Sequence, residues 1–299
     1  MSHALTVLPL RATLAAFRLA QPGLPGAAGR ALRRACALRL SPPERRAEAA
    51  IDALRGRLRE SAETVEVVDY GAGTRGGGRP PVRAVAEVYR RAATGPAWGR
   101  FLFGLARGLR AERVLELGTN LGVGSAHLAA ALALNDAEAP GAGRAPGRLV
   151  TLEGAPALAA LAGEHLAGLG HRQRVEVVVG PFAQTLPDVA ARGPLAGADL
   201  RFDLVFVDGH HEPAAALGYL DTLSGALAPG AVVVLDDVEP GRPVRQAWRQ
   251  LRETTPAPAF YAGKYGLLVP RPATTRGAAT PAARETASSL PAPAGRPSA

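Results

Sequence analysis

Apolar and polar positions follow one rule through most of the chain. From residue 112 onward, short apolar runs alternate with longer segments whose apolar positions recur at helical spacing: "RVLEL", "GSAHLAAALAL", "RLVTLE", "PALAALAGEHLAGL", "RVEVVVG", "FDLVFVDG", "AALGYLDTLSGAL", "AVVVLDD" and "PVRQAWRQL". The short runs read as buried strands and the longer segments as helices. Strict alternation of the two predicts a parallel sheet with crossover helices on both faces. Two closing strands, "AFYAG" and "YGLLVPR", are separated by only a short turn, so the second is expected to run antiparallel to its neighbour. The expected class is α/β, with a mostly parallel seven-stranded sheet and an antiparallel last strand.

Upstream of residue 112 the pattern changes. "SPPERRAEAAIDALRGRLRE" opens on serine and prolines and continues at helical spacing, predicting a helix over 43–60. "TVEVVDYGAG" alternates like a strand and runs into a loop containing Gly71, Gly73 and Gly76 to Gly78, which could fold over a ligand as a lid. Two helical stretches follow, "VRAVAEVYRRA" and "WGRFLFGLARGL". At the start, "LTVLPLRATLAAFRLA" and "ALRRACALRL" read as short helices packed on the main domain, joined by the turn-rich "QPGLPGAAG". After Pro270 large apolar residues almost vanish, so 272–299 is expected to be disordered. The expected organisation is a helical extension over 1–60, a strand, loop and cap helices over 61–111, the sheet domain over 112–271, and a tail.

Composition narrows the function classes. With 299 residues, 47% of them hydrophobic, the chain can bury a full core. The formal charge is +9 and the pI about 10.8, which raises the question of an anionic partner. The arginines are spread along the chain, however, and only Lys264 among the 35 basic residues is a lysine, as a GC-rich coding bias would produce. No nucleic-acid partner is expected. The lone Cys36 excludes an internal disulfide and a multi-cysteine metal site, and makes a reducing, cytoplasmic location the default. No apolar run is long enough to span a membrane. The first 43 residues hold six arginines and no acid, a composition shared with transit peptides, but packed helices are the plainer reading.

The chemistry should lie where a parallel sheet binds ligands, outside the carboxyl ends of its strands. Those ends are polar: Glu116 with the "GTNLGVG" turn, Glu153, "GPF" at 180–182, "DGHH" at 208–211, and Asp236 with Asp237. So many carboxylates on one rim would repel one another without a positive ligand or metal. The spacing of Gly118, Gly122 and Gly124 is not that of a dinucleotide fingerprint, and no Gly-Lys-Ser/Thr phosphate loop is present. An acid beside the turn is wrong for phosphate and suits a positively charged ligand. S-adenosylmethionine fits, with its ammonium and sulfonium near the turn and its ribose diol gripped by Glu153. Plainer roles stay open: Glu116 as a helix cap, Glu153 as a solvated acid, Phe182 as core, and His165 and His171 as surface residues.

"VLELGTNLGVGSAHLA", "VTLEG", "VEVVVGPFAQTLP", "FDLVFVDGHHEPAAALGYLDTL" and "LAPGAVVVLDDV" together resemble successive motifs of the class I S-adenosylmethionine-dependent methyltransferases, in the O-methyltransferase-like bacterial group. The resemblance covers 112–270 and implies a Rossmann-like methyltransferase fold. It implies that Gly118 and the turn from Thr119 to Gly122 let the backbone approach the methionine part. Ser125 would help hold its carboxylate, Glu153 the ribose hydroxyls, and Phe182 the adenine, with Glu116 and Asp208 completing the cofactor side. Pro181 departs from the small or acidic residue often found nearby.

Metal-dependent relatives bind a divalent ion through carboxylates ending the fourth and fifth strands, which maps onto Asp208, Asp236 and Asp237 and implies Mg²⁺. Where those relatives place a Lys or Asp base, this chain offers His210 and His211, whose imidazoles suit proton acceptance at neutral pH. Asp208 would join them in catalysis. The expected activity is O-methylation of a small hydroxylated acceptor. A non-catalytic S-adenosylmethionine-binding interaction protein stands as the alternative, and self-association as a homodimer stays open. "DGHH" in place of an Asn/Asp-Pro-Pro-aromatic loop disfavours methylation of nucleic acids, and the glycine spacing disfavours an NAD dehydrogenase.

Overall fold

The computed structural model describes residues 26–37, 39–68, 80–140, 145–195, 201–210, 212–254 and 258–270. The glycine cluster at 71–78, His211, the first 25 residues and the tail at 272–299 lie outside the described residues.

Two helices come first, α1 (Gly26–Ala37) and α2 (Pro42–Glu60). The second starts where the sequence predicts: Pro42 needs no amide partner in the first turn, and the Ser41 N–H donates to Glu44 Oε2 at 2.8 Å. The strand read in "TVEVVDYGAG" is short, β1 (Thr64–Glu66), and pairs antiparallel with β2 (Val82–Ala84) in a separate ribbon. Helices α3 (Val85–Ala92) and α4 (Pro96–Leu109) lead into the main sheet.

That sheet is built from β3 (Arg113–Leu117), β4 (Arg148–Glu153), β5 (Val175–Val179), β6 (Phe202–Val207), β7 (Leu227–Leu235), β8 (Ala259–Ala262) and β9 (Tyr265–Leu268). Between them lie α5 (Val123–Glu138), α6 (Pro156–Gly168), α7 (Phe182–Leu195), α8 (Pro213–Leu223) and α9 (Val244–Thr254). The strand order is β5-β4-β3-β6-β7-β9-β8. The first five are parallel, β9 runs antiparallel to β7, and β8 antiparallel to β9. This is the expected mostly parallel Rossmann-like sheet.

From β3 the chain winds outward to β5, then returns to place β6 on the other side of β3, so the winding reverses between β3 and β6. One face of the sheet packs on α4 and α5 with Phe101, Leu102, Leu128 and Leu132, and the other on α7, α8 and α9 with Leu186, Tyr219 and Trp248. The helical reading of "ALRRACALRL" holds from Ala31 to Ala37, but Arg39 and Leu40 lie beyond the helix, and Gly26 to Gly29, read as part of a turn-rich connection, form its first turn; Ala28, Ala31, Leu32 and Ala35 of α1 are buried in the same core as Phe101 and Leu105.

Polar pairs tie α2 to α4 and α5 beneath this core. Arg107 Nε donates to Glu44 Oε1 at 3.0 Å, and Arg100 Nε to Glu48 Oε2 at 2.7 Å. Arg55 donates to the Thr94 carbonyl at 2.7 Å and lies 3.1 Å from His127 Nε2, whose Nδ1 is 2.8 Å from Glu48 Oε1.

Candidate active site

The register of the sheet assembles the rim. Leu117 is paired with Leu152 on one side and Val207 on the other, Glu153 with Val179, and Val207 with Leu235. The residues at the carboxyl edge therefore come side by side as Val179, Glu153, Gly118, Asp208 and Asp236, with Gly180 one step beyond. Backbone bonds fix them there, with the Gly118 and Asp236 N–H groups donating to the Leu152 and Val207 carbonyls at 2.9 and 3.0 Å. The strand-end residues singled out in the sequence thus converge at the reversal point, where open parallel sheets bind ligands.

The glycines there serve the protein's own groups first. Gly118 has φ of 104°, and a Cβ on it would lie 1.9 Å from the Asp208 carbonyl oxygen, so any side chain would push β6 away from β3. A Cβ on Gly124 would lie 2.6 Å from Glu116 Oε1. The turn is tight because a buried carboxylate sits under it.

Glu116 is that carboxylate, 1% exposed. It accepts hydrogen bonds from the Ser125 hydroxyl and, at 2.7 Å, from Thr151 Oγ1. Burial pushes its carboxyl up to about 7, against the pull of those two donors and with help from the Glu153 charge. Ser125 is fully buried with its hydroxyl committed to Glu116, which places it beneath the turn. Thr119 is also buried, its hydroxyl 2.6 Å from that of Thr151. Glu153 accepts from the Asn120 N–H at 2.7 Å and the Ala155 N–H at 2.9 Å, and burial nonetheless raises its carboxyl above the ordinary value. Asn120 has φ of 50°, as the sharp bend over Glu153 requires.

On the other side of Gly118, Phe182 meets Tyr219 edge to face with ring centroids 5.9 Å apart. Its ring packs over Gly209 and lies among the partly buried residues of the core. His210, with φ of 51°, has Nδ1 2.6 Å from the Tyr219 hydroxyl and Nε2 3.9 Å from Glu212 Oε2. Tyr219 is a partner the sequence reading passed over. His165 and His171 are not simple surface residues: His165 Nδ1 lies 3.0 Å from the Leu121 carbonyl, and burial lowers His171 to about 4.

The acidic end of the rim is neutralised by the protein itself. Lys264 Nζ donates to Asp236 Oδ2 at 2.6 Å and lies 3.4 Å from Asp237 Oδ1. Asp236 Oδ1 accepts the Asp237 N–H at 2.7 Å. The backbone does turn at Asp237, with φ of 55°, as one shared ion would require, but the cation the two residues share is an ammonium. Burial raises the Asp208 carboxyl well above its ordinary value, and the charge and hydrogen bond of Asp236 push the same way. For Lys264, burial opposes the charged form, yet the charges of Asp236 and Asp208 outweigh it and move its value up. Among the described residues no three His, Cys, Asp or Glu side chains gather as a metal-holding group. The side chains expected to bind Mg²⁺ therefore do not fit a divalent ion as they stand, because a positive charge is already in contact with two of them. Tyr265, fully buried, completes this end, with its hydroxyl unpartnered among the described residues and the charges of Asp236, Asp208 and Glu116 acting on it.

The same stretch is where known proteins match. Residues 115–238 match the family described as "Methyltransferase domain". This stretch of the sheet domain is similar to a methyltransferase domain. Its curated relatives include a catechol O-methyltransferase from Mycobacterium tuberculosis, 40% identical over 148 residues, or 50% of this chain and 58% of that protein. Another, from Niastella koreensis, is 33% identical over 146 residues, 48% of this chain and 57% of that protein. The matched region thus spans somewhat over half the length of these methyltransferases. Among solved structures, the O-methyltransferase TomG from Streptomyces achromogenes, in complex with SAM, is 30% identical with a TM-score of 0.48, covering 60% of this chain and 82% of that one. Among the described residues no helix is long and apolar enough to cross a membrane.

Proposed function

We propose that the chain transfers a methyl group from S-adenosylmethionine to a hydroxyl of a small molecule, a catechol being the first acceptor to test. The observation that carries this reading is the row of Glu153, Gly118 and Asp208 at the reversal of a sheet whose residues 115–238 match a methyltransferase domain. The named enzymatic relatives leave the non-catalytic alternative without favour.

The residues fit the cofactor on chemical grounds, since Glu116, Glu153 and Asp208 surround the turn with acid and the cofactor carries an ammonium and a sulfonium. When bound, it supplies a methyl carbon that bonds to the acceptor oxygen as its bond to sulfur breaks, the electron pair remaining on a neutral thioether. The chain's work is to bind, orient and take a proton. Glu153 retains acceptor capacity beyond its two backbone bonds and would take the ribose hydroxyls. Glu116 balances positive charge from beneath the turn. His210 would accept the acceptor's hydroxyl proton: with Nδ1–H donating to Tyr219, Nε2 is the basic nitrogen. A small, non-nucleic-acid acceptor, a cytoplasmic setting and a homodimer belong to the same proposal.

Mass-spectrometric detection of a monomethyl ether from catechol and S-adenosylmethionine tests the activity. Glu153→Ala tests the site and should weaken S-adenosylmethionine binding by about 1.5 to 3 kcal/mol, the range for hydrogen bonds involving a charged group. Unchanged affinity in a titration calorimeter would remove Glu153 from the cofactor site.

A further inference from the structure

We infer that the Lys264 ammonium is the resident cation of the rim, standing where a divalent ion would sit between Asp236 and Asp237 and facing the acceptor's oxygen, so that methyl transfer needs no metal. The inference rests on the methyl-transfer reading above for the role of the oxygen, but the occupancy by Lys264 stands on geometry alone.

Three observations carry it. The first is contact: Nζ is 2.6 Å from Asp236 and 3.4 Å from Asp237, and the side chain is 27% exposed, so the ammonium is held by the acids and reaches the open rim. An ammonium has three donors, and two carboxylates leave at least one for a third oxygen. The second is how the residue gets there. Strand β9 pairs antiparallel with β7, Leu235 opposite Gly266, so its starting end lies at the carboxyl edge of the parallel strands, and the Val238 N–H pins the Lys264 carbonyl at 3.0 Å. The β8–β9 turn thus delivers a side chain to the rim from a direction no parallel strand uses. The third is residue choice. Among 35 Lys and Arg residues this is the only lysine. A guanidinium is a planar fork, whereas an ammonium is a compact point charge. The one compact ammonium in the chain thus stands where two carboxylates meet, the place a small round cation suits better than a fork.

This arrangement gives the oxygen losing its proton a positive charge, which is the service a metal would otherwise supply. The proton still leaves to His210, and Lys264 keeps its own.

Manganese is the probe for occupancy, read by the electron paramagnetic resonance signal of the free ion, which needs neither cofactor nor turnover. The wild-type chain should leave that signal unchanged, while Lys264→Ala, which uncovers Asp236 and Asp237, should diminish it. Catechol methylation by the wild type should be the same in EDTA as in Mg²⁺. Lys264→Ala should lose roughly 100-fold in kcat/KM, the scale for removing one preorganised donor to a developing oxyanion, and Lys264→Arg should recover little of it. S-adenosylhomocysteine affinity, measured on the same samples, should stay within a factor of about two in both variants, which also certifies that they are folded. Manganese bound by the wild type, or methylation abolished by EDTA, would overturn the inference. So would a Lys264→Ala variant of unchanged kcat/KM. Loss of S-adenosylhomocysteine binding by the wild type would instead strike the methyl-transfer reading, with the manganese result still deciding occupancy.

Discussion

Glu116 shows what a single residue contributes to the behaviour of this site. Its carboxyl is displaced from an ordinary value of 4.5 to about 7, chiefly by burial. Below pH 4.5 the folded and unfolded chains both carry the proton, and the position costs nothing. As pH rises from 4.5 toward 7 the unfolded chain ionises first, so stability falls through that window. Above about 7 both states are ionised and the loss is complete, amounting to about 3 kcal/mol at 1.36 kcal/mol per pKa unit. Thermal melts of the ligand-free protein should therefore show a decline between pH 4.5 and 7 that Glu116→Gln flattens. An unaltered pH profile in the variant would mean that the carboxyl is not displaced. A residue kept at this cost beneath the glycine turn is what the proposed function needs, since a bound cation would favour the ionised form.

Elements divide into those the sequence announces and those it does not. The parallel strands and their helices are legible because each is a buried apolar run or an amphipathic segment, and the strand-end rule then finds Glu116, Glu153, Asp208 and Asp236 directly. That rule reads carboxyl ends only. Lys264 and Tyr265 enter the rim from the starting end of the antiparallel strand β9, so nothing in the motif order points to them. The available signal was compositional: a single lysine in an arginine-rich chain. Tyr219 escaped for another reason. It lies two helical turns and more beyond His210, and only the bend at His210, with its positive φ, folds the imidazole back onto α8.

The polar layer under α4 and α5 was illegible as well, because its partners are 63 and 72 residues apart in sequence and each looks like surface charge on its own helix. Glu48 sits at its centre, 3% exposed, in contact with Arg100 and His127. Burial opposes its ionisation, but His127 and Arg100 overcome that and hold its carboxyl below the ordinary value. Glu48→Ala leaves those partners without their acid in a dry layer and should cost about 3 kcal/mol, a drop in Tm of roughly 6 to 12 °C for a chain of this size. A change below one degree would show that the layer is hydrated in solution.

For the whole molecule, the question is whether the domain boundaries drawn from motifs are boundaries of stability. The resemblance begins near residue 112, and the family match covers 115–238, which invites treatment of 112–271 as a unit and of the preceding helices as an extension. The packing argues otherwise. One face of the sheet is covered by α4 and α5, and α4 is in turn covered by α1, with Phe101, Phe103 and Leu105 fully buried between them. Helix α2 closes a second patch through Leu54 and Leu58, which share a cluster with Leu121 and Val123 at the glycine turn itself and with Leu158 of α6. A fragment starting at residue 112 would expose that apolar face and leave His127, fully buried in the intact chain, without Glu48 or Arg55. Fully burying a Leu or Phe side chain is worth about 1.5 to 3 kcal/mol, and the loss of several such contacts is comparable with the total stability of a typical domain, about 5 to 15 kcal/mol. The fragment 112–271 should therefore show no cooperative thermal transition by circular dichroism and no calorimetric binding of S-adenosylhomocysteine, while the full chain shows both. A cooperative melt within a few degrees of the full chain would establish the motif boundary as a true domain boundary and reduce the N-terminal helices to an accessory. The loss of binding has a local cause as well as a global one: Leu121 and Val123, which set the path of the turn from Thr119 to Gly124, rest on α2 as well as on α6, so the fragment would keep only one of the two supports of its glycine turn.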